Sequence, residues 1–227
     1  MARNGQSPTK RSQRESASVG ASTLTGQLSA RGKRTKSALV AAAREVFEEV
    51  GFSEARIADI AQRARLSYGS FYTYFESKEE IFRDVLKQVT GEMFEATAVT
   101  DEAAASPRAR LEFANRRYLQ AYARNERIMA VIEEIAPYDS YSRELLNGIR
   151  SLFYRRIELG VLHQQKVGLL DPELDHLMVA RALGGMVEQI ARSAFHLGEP
   201  YDEDQAVHVL TTLWSNAVGH LRDDDSA

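Results

Sequence analysis

Cysteine is missing from this chain altogether, and among its 227 residues tryptophan occurs once and proline five times. Without thiols there is no disulfide framework, no thiolate metal site, no iron–sulfur cluster and no cysteine nucleophile. Long apolar runs are also missing. Nothing approaches the roughly 20 residues needed to span a bilayer, and the N-terminus lacks the apolar stretch of a secretory signal. A folded cytoplasmic protein is the expectation. Histidine is sparse, with His163, His176, His196, His208 and His220. Only Glu173-x-x-His176 has a ligand-like spacing, and a carboxylate-bridged bundle site needs two such motifs plus two further carboxylates on partner helices. No metal or other cofactor is expected.

Acidic residues are scarce at one end. Residues 1–36 hold eight Lys or Arg and one acid, whereas the remaining residues hold 21 bases against 31 acids. The basic end is the one suited to a polyanion. Residues 1–32 have too few large apolar side chains to offset the entropy of ordering and read as a flexible basic arm. Residues 223–227 read as an acidic, solvated tail.

What is present is helical periodicity and 44% hydrophobic residues, enough for a substantial core. From Arg34, the residues Leu39, Ala42, Ala43, Val46, Phe47 and Val50 recur on one helical face up to Gly51, a natural C-cap. Ile57, Ile60, Ala61 and Ala64 mark a short second helix. After a turn at Arg65 and Leu66, Ser67 caps a third helix through Tyr74. Two short helices joined tightly make a helix-turn-helix. Ser77 and Glu80 form a capping box for a longer fourth helix. Beyond Asp101 the breaks predict five further helices, at 107–124, 126–135, 140–166, 172–197 and 203–221. No stretch alternates with a period of two.

The stretch 66–78, LSYGSFYTYFESK, carries the densest aromatics. The second helix of a helix-turn-helix faces base edges with its N-terminal residues and packs its far side inward. Phe71 and Phe75, four apart, suit the core. Tyr72, Thr73 and Tyr74 offer hydroxyls to phosphate oxygens, and Gly69 lets backbone approach DNA closely. Arg34 and Thr35 at the first helix, with Lys78 at the fourth, add charge and hydrogen bonding to the same surface.

Residues 37–86, SALVAAAREVFEEVGFSEARIADIAQRARLSYGSFYTYFESKEEIFRDVL, resemble the N-terminal DNA-binding domain of the TetR family of bacterial transcriptional regulators. AAREVF, the glycine-aromatic pair at 51–52, IADIA and S-x-G-S-F-Y-x-Y-F-x-S-K-E-E come in the family's order and spacing. The resemblance implies an all-α protein of about nine helices, with a three-helix DNA-binding domain at 33–80 and a larger ligand-binding and dimerisation domain at 81–222. It places Tyr68, Gly69 and Ser70 nearest the bases, and Tyr72, Thr73, Tyr74 and Lys78 at or near the phosphates, with the cap residue Ser67 also a DNA-binding candidate. Two departures stand out. Ala55-Arg56 replaces the usual hydroxyl at the start of the second helix, which removes a cap and offers Arg56 to a phosphate. Arg65 replaces a turn glycine at a position that favours positive φ.

The larger half reads as a ligand sensor, a partner-binding bundle or an enzyme. No nucleophile–base pairing or phosphate-cradling loop accompanies His163, His176 and Glu188. A mostly apolar effector with a few polar anchors is the expected ligand. Candidate pocket residues are Phe113, Arg117, Tyr118 and Tyr122 on one helix, with Met129, Ile132, Phe153 and Glu188 on others. The carboxylate of Glu188 on an otherwise apolar helix needs a partner or water, and it is expected to orient a ligand, to pair with Arg117 or Arg192, or to lie at the dimer rim. The last two helices are broadly apolar and predict a twofold dimer through Met178, Ala182, Gly185 and Met186 of one and Leu210, Leu213, Trp214 and Ala217 of the other. The expected function is a homodimeric repressor of a palindromic operator, released by a small molecule. An activator or a ligand-independent regulator is the alternative.

Overall fold

The computed structural model describes residues 28–98 and 106–217, so the basic arm up to residue 27 and the acidic tail lie outside the described residues. Among them are nine α-helices and no strand, and no helix is long and apolar enough to cross a membrane.

Helix α1 (Ala30–Glu54) begins where Ser29 Oγ accepts a hydrogen bond from the Gly32 N–H at 3.2 Å. That cap lies ahead of Arg34, so residues expected in the arm join the helix. Gly51, at φ 75°, breaks its path as the sequence predicts. α2 (Ile57–Arg63) follows, then a turn in which Arg65 takes φ 57°. α3 (Tyr68–Phe71) is shorter than its expected end at Tyr74. Thr73 and Tyr74 donate to carbonyls three residues back, tightening the turn and carrying Phe75 into the core beside Phe71. α4 (Lys78–Ala96) starts with the expected box: Ser77 Oγ accepts from the Glu80 N–H, and Glu80 Oε2 accepts from the Glu76 N–H.

The remaining helices are α5 (Pro107–Arg124), α6 (Glu126–Ile135), α7 (Ser140–Lys166), α8 (His176–Phe195) and α9 (Glu203–Ala217). Ser106 with Pro107, Asp139 and Asp175 cap α5, α7 and α8. α8 starts four residues later than the sequence predicts. The Gln165 side-chain amide holds the Asp171 and Leu174 carbonyls at 3.0 and 2.8 Å, making 171–174 a turn that delivers Asp175 as the cap.

α4 is the common spine. Its first half packs against α1, its second against α5 and α7, and one buried apolar cluster runs from Phe47 through Val85 and Val89 to Leu119 and Ile132. The core is therefore continuous across residue 80. A second link joins the two halves where Arg44 of α1 donates to Asn125 Oδ1, between α5 and α6, at 2.7 Å.

Candidate nucleic-acid interface and effector cavity

The N-terminal surface rests on a sealed aromatic core. Phe47, Phe52 and Phe82 meet at ring separations of 5.0–5.6 Å, and Phe71 and Phe75 are fully buried. Ser67 Oγ accepts from the Ser70 N–H at 3.2 Å, which fixes the first turn of α3. Tyr68 and Tyr72, 55% and 47% exposed, stand one turn apart with their hydroxyls 2.9 Å from each other. The hydrogen bond between the two hydroxyls raises the Tyr72 pKa, so the Tyr72 phenol stays protonated. An added Cβ at Gly69 would meet nothing within 4 Å, leaving space above the backbone. Thr73, Arg34 and Arg56 are exposed, and the N-terminus of α2 has no side-chain cap. Tyr74 and Thr35 are half-buried, Tyr74 against the core and Thr35 donating to the Arg31 carbonyl.

Lys78 is placed differently from expectation. Its Nζ donates to the carbonyls of Phe52, Ser53 and Ala55 at 2.7, 3.1 and 3.0 Å and lies over the Phe52 ring. The side chain closes the C-terminal end of α1 because those carbonyls lack helical partners. What Lys78 leaves toward a phosphate is the N-terminus of α4. The short-range sequence pattern could not show this, since the partners lie more than twenty residues back.

Two cavities open in the larger half. The first, about 630 Å³, lies among α5, α7, α8, α9 and the residues just past α4, within the roughly 300–1,000 Å³ typical of small-molecule sites. The second, about 150 Å³, lies among α4, α5, α6, α7 and α8. Tyr118, Phe153 and Glu188 form part of the wall of both, and Tyr122 and Met129 line the smaller. Phe113, Arg117 and Ile132 line neither. Ile132 is sealed in the core, while Arg117 packs over Phe113 and donates to the Ala96 carbonyl at 3.2 Å.

Glu188 pairs with Arg150 at 3.4 Å and accepts from the Tyr154 hydroxyl at 3.3 Å; neither expected arginine serves it. Arg192 instead meets Glu133, which also accepts from Tyr122. Burial raises the Glu188 pKa, with Arg150 opposing, and burial drives Tyr118 well above its usual range. Sequence reasoning missed Arg110, Tyr154, Arg156 and Ile157 in the wall of the larger cavity, because their shared orientation depends on how three helices pack.

The expected dimer residues divide. Met178, Ala182, Leu213 and Ala217 are exposed, Met178 by 61%. Leu210 is buried, Met186 packs on the core, and Trp214 turns inward, donating from Nε1 to the Leu183 carbonyl and lining the larger cavity. Gly185 opens on the smaller cavity. Gly184 admits the chain's own α7, since a Cβ there would stand 2.7 Å from Tyr154 Cε1. Of the two histidines weighed for chemistry, His176 pairs with Glu158 at 2.7 Å, beside Arg155, joining α8 to α7.

Residues 39–85 match the model for bacterial regulatory proteins of the tetR family. An uncharacterised HTH-type transcriptional regulator of Bacillus subtilis (strain 168), YdgC, is 23% identical over 82% of this chain and 94% of its own length. A TetR-like transcriptional regulator from Rhodococcus sp. RHA1 superposes with TM-score 0.61 at 24% identity, covering 85% of this chain and all of that one. The transcriptional regulator FadR from Bacillus subtilis, solved in complex with stearoyl-CoA, superposes with TM-score 0.65 at 19% identity, over 80% of this chain and 98% of its own. Residues 39–85 thus carry the helix-turn-helix of the tetR family of bacterial regulatory proteins, the fold is shared with TetR-like transcriptional regulators along most of the chain, and the protein is a DNA-binding regulator.

Proposed function

We propose that the chain acts as a homodimeric repressor that reads a palindromic operator and is released when a small, largely apolar effector fills the larger cavity. The observation that carries this reading is the place of α4. Its first turns are buried in the DNA-binding half, while Thr97, just past its end, lines the 630 Å³ cavity. A ligand changes DNA affinity only through unequal affinity for two states, and coupling of about 1–3 kcal/mol corresponds to roughly 5–150-fold. A similarly folded relative solved with stearoyl-CoA supports an elongated apolar ligand here.

Base contacts fall to Tyr68, Gly69 and Ser70, and phosphate contacts to Tyr72, Thr73, Arg34, Arg56 and the N-terminus of α4. Exposed Met178, Ala182, Leu213 and Ala217 supply the subunit contact. A twofold pair predicts half-sites about 34–36 Å, or one DNA turn, apart, or a multiple of that. The test is genomic-fragment binding at stated salt, with sedimentation in parallel. Enrichment of a short inverted repeat by a dimer supports the reading, as does its loss when an amphiphile quenches Trp214. A monomer, or operator affinity indifferent to every compound that binds the cavity, defeats it.

A further inference from the structure

The larger cavity ends at a cation that also holds the end of α4. Arg156 of α7 lines this cavity together with Arg110 of α5. The same guanidinium reaches α4's last turn, where Nη1 donates to Thr97 Oγ1 at 2.8 Å and lies 3.5 Å from the Phe94 carbonyl. Its central carbon stands 3.9 Å from the centroid of the Phe94 ring. Arg117 of α5 holds the neighbouring Ala96 carbonyl. α4 is thus tied to α5 and α7 by two arginines, one of which faces the cavity.

The partners of Arg156 among the described residues are all neutral. Among the described residues neither it nor Arg110 forms an ion pair, and burial pulls the Arg156 pKa down with no anion opposing it. The acidic group of this cavity, Glu188, is engaged by Arg150 and Tyr154. Between them the wall is apolar, with Ile157, Val161, Leu183 and Trp214. A guanidinium held by one hydroxyl, one long carbonyl contact and a ring gains more from a carboxylate, which matches its fork with two charge-assisted hydrogen bonds.

We infer that the effector is a carboxylate-bearing amphiphile whose anionic end takes Arg156 away from Thr97 and Phe94, freeing the last turn of α4, while its apolar body lies along Ile157, Leu183 and Trp214. The inference rests on the larger cavity being the effector site. It adds the charge of the ligand and names Arg156 as the residue that couples filling of the cavity to α4.

Trp214, the single tryptophan, reports filling by its fluorescence. The full-length protein and its Arg156→Gln and Arg156→Lys variants are titrated with dodecanoate and dodecan-1-ol below their micellar concentrations, with amide exchange followed at Phe94–Thr97. Dodecanoate is expected to bind the parent about tenfold or more tighter than the alcohol, the factor for one charge-assisted contact, and to speed exchange in that turn. Arg156→Gln binds both compounds alike and exchanges fast before any ligand is added, while Arg156→Lys keeps part of the preference. Equal binding of acid and alcohol by the parent overturns the inference and leaves the cavity reading intact. Preference surviving in Arg156→Gln, or dodecanoate binding without faster exchange, also overturns it. Quenching by neither compound removes both the inference and the apolar-effector reading beneath it.

Discussion

In the DNA-binding half, Phe47, Phe71, Phe75 and Phe82 are shut away from solvent and line neither cavity, Phe47 meeting Phe82 edge to ring and Phe71 tilted against Phe75. In the sensing half, Tyr118, Phe153 and Trp214 are equally aromatic but turn toward open space. Buried polar groups follow the same division, with Asn115, Glu158, Gln164, Thr211 and Ser215 all beyond α4. A surface that must match DNA needs a rigid base, and close packing provides one. A sensor needs a hole, and a hole forfeits packing that hydrogen bonds and ion pairs only partly replace. The difference shows that one chain can spend its apolar residues on rigidity in one place and on vacancy in another.

The comparison breaks most severely in the sealed half. Phe82→Ala should cost about 3–5 kcal/mol, since the neighbouring rings cannot close the gap. Phe153→Ala, in a wall already open on two sides, should cost less than half as much in the same denaturant titration. Equal losses would show that the cavities are not real weak points.

Lys78→Met removes three charged hydrogen bonds from the end of α1, with an expected loss of about 1.5–3 kcal/mol. If Lys78 instead served mainly as a phosphate contact, stability would be unchanged and only the salt dependence of DNA binding would fall. Calorimetry beside binding at two salt concentrations separates the two.

The adjacent glycines of α8 sharpen the contrast within the sensor. Gly184→Ala forces a Cβ to within 2.7 Å of the Tyr154 ring and should destabilise by about 1–3 kcal/mol. Gly185→Ala meets nothing within 4 Å and should stabilise the helix by roughly 0.5–1 kcal/mol. Thermal midpoints of opposite sign are the expected result.

The smallest effect concerns acid. Arg155, and behind it His176, hold Glu158 below its ordinary pKa. A depressed folded-state pKa gives stability that is present above the unfolded value and lost as pH falls through the folded one. Glu158→Gln should therefore flatten the decline in melting temperature below the ordinary glutamate pKa of about 4.3 and change little near neutrality. An unchanged acid limb would show that the pair contributes nothing.

Much of the helical layout was legible because its signals are local. Ser67, Ser77, Ser106 and Asp139 cap helices within three residues, Gly51 and Arg65 take the positive φ their positions demand, and the five later helices lie close to the breaks that predicted them. The pocket was only half legible. Tyr118 and Glu188 stand out in sequence as polar groups on largely apolar faces, and Phe153 as an aromatic among them, whereas Arg110 and Arg156 look like ordinary surface charges. Ile132 shows the opposite error, since an apolar residue beside a cavity and one inside a core read the same.

The sequence by itself determined the order of the helices and most of their caps, which short segments form the helix-turn-helix, and that Phe71 and Phe75 face inward while Tyr68 and Tyr72 face out. Periodicity and capping act over three or four residues, so the chain states them directly. Only the tertiary structure decided that Lys78 closes α1, that Leu210 and Trp214 turn into their own subunit, that Gly184 admits Tyr154, and that Arg156 joins a cavity to the end of α4. Those outcomes depend on the angles and spacings at which helices distant in sequence meet, and no local pattern encodes a void.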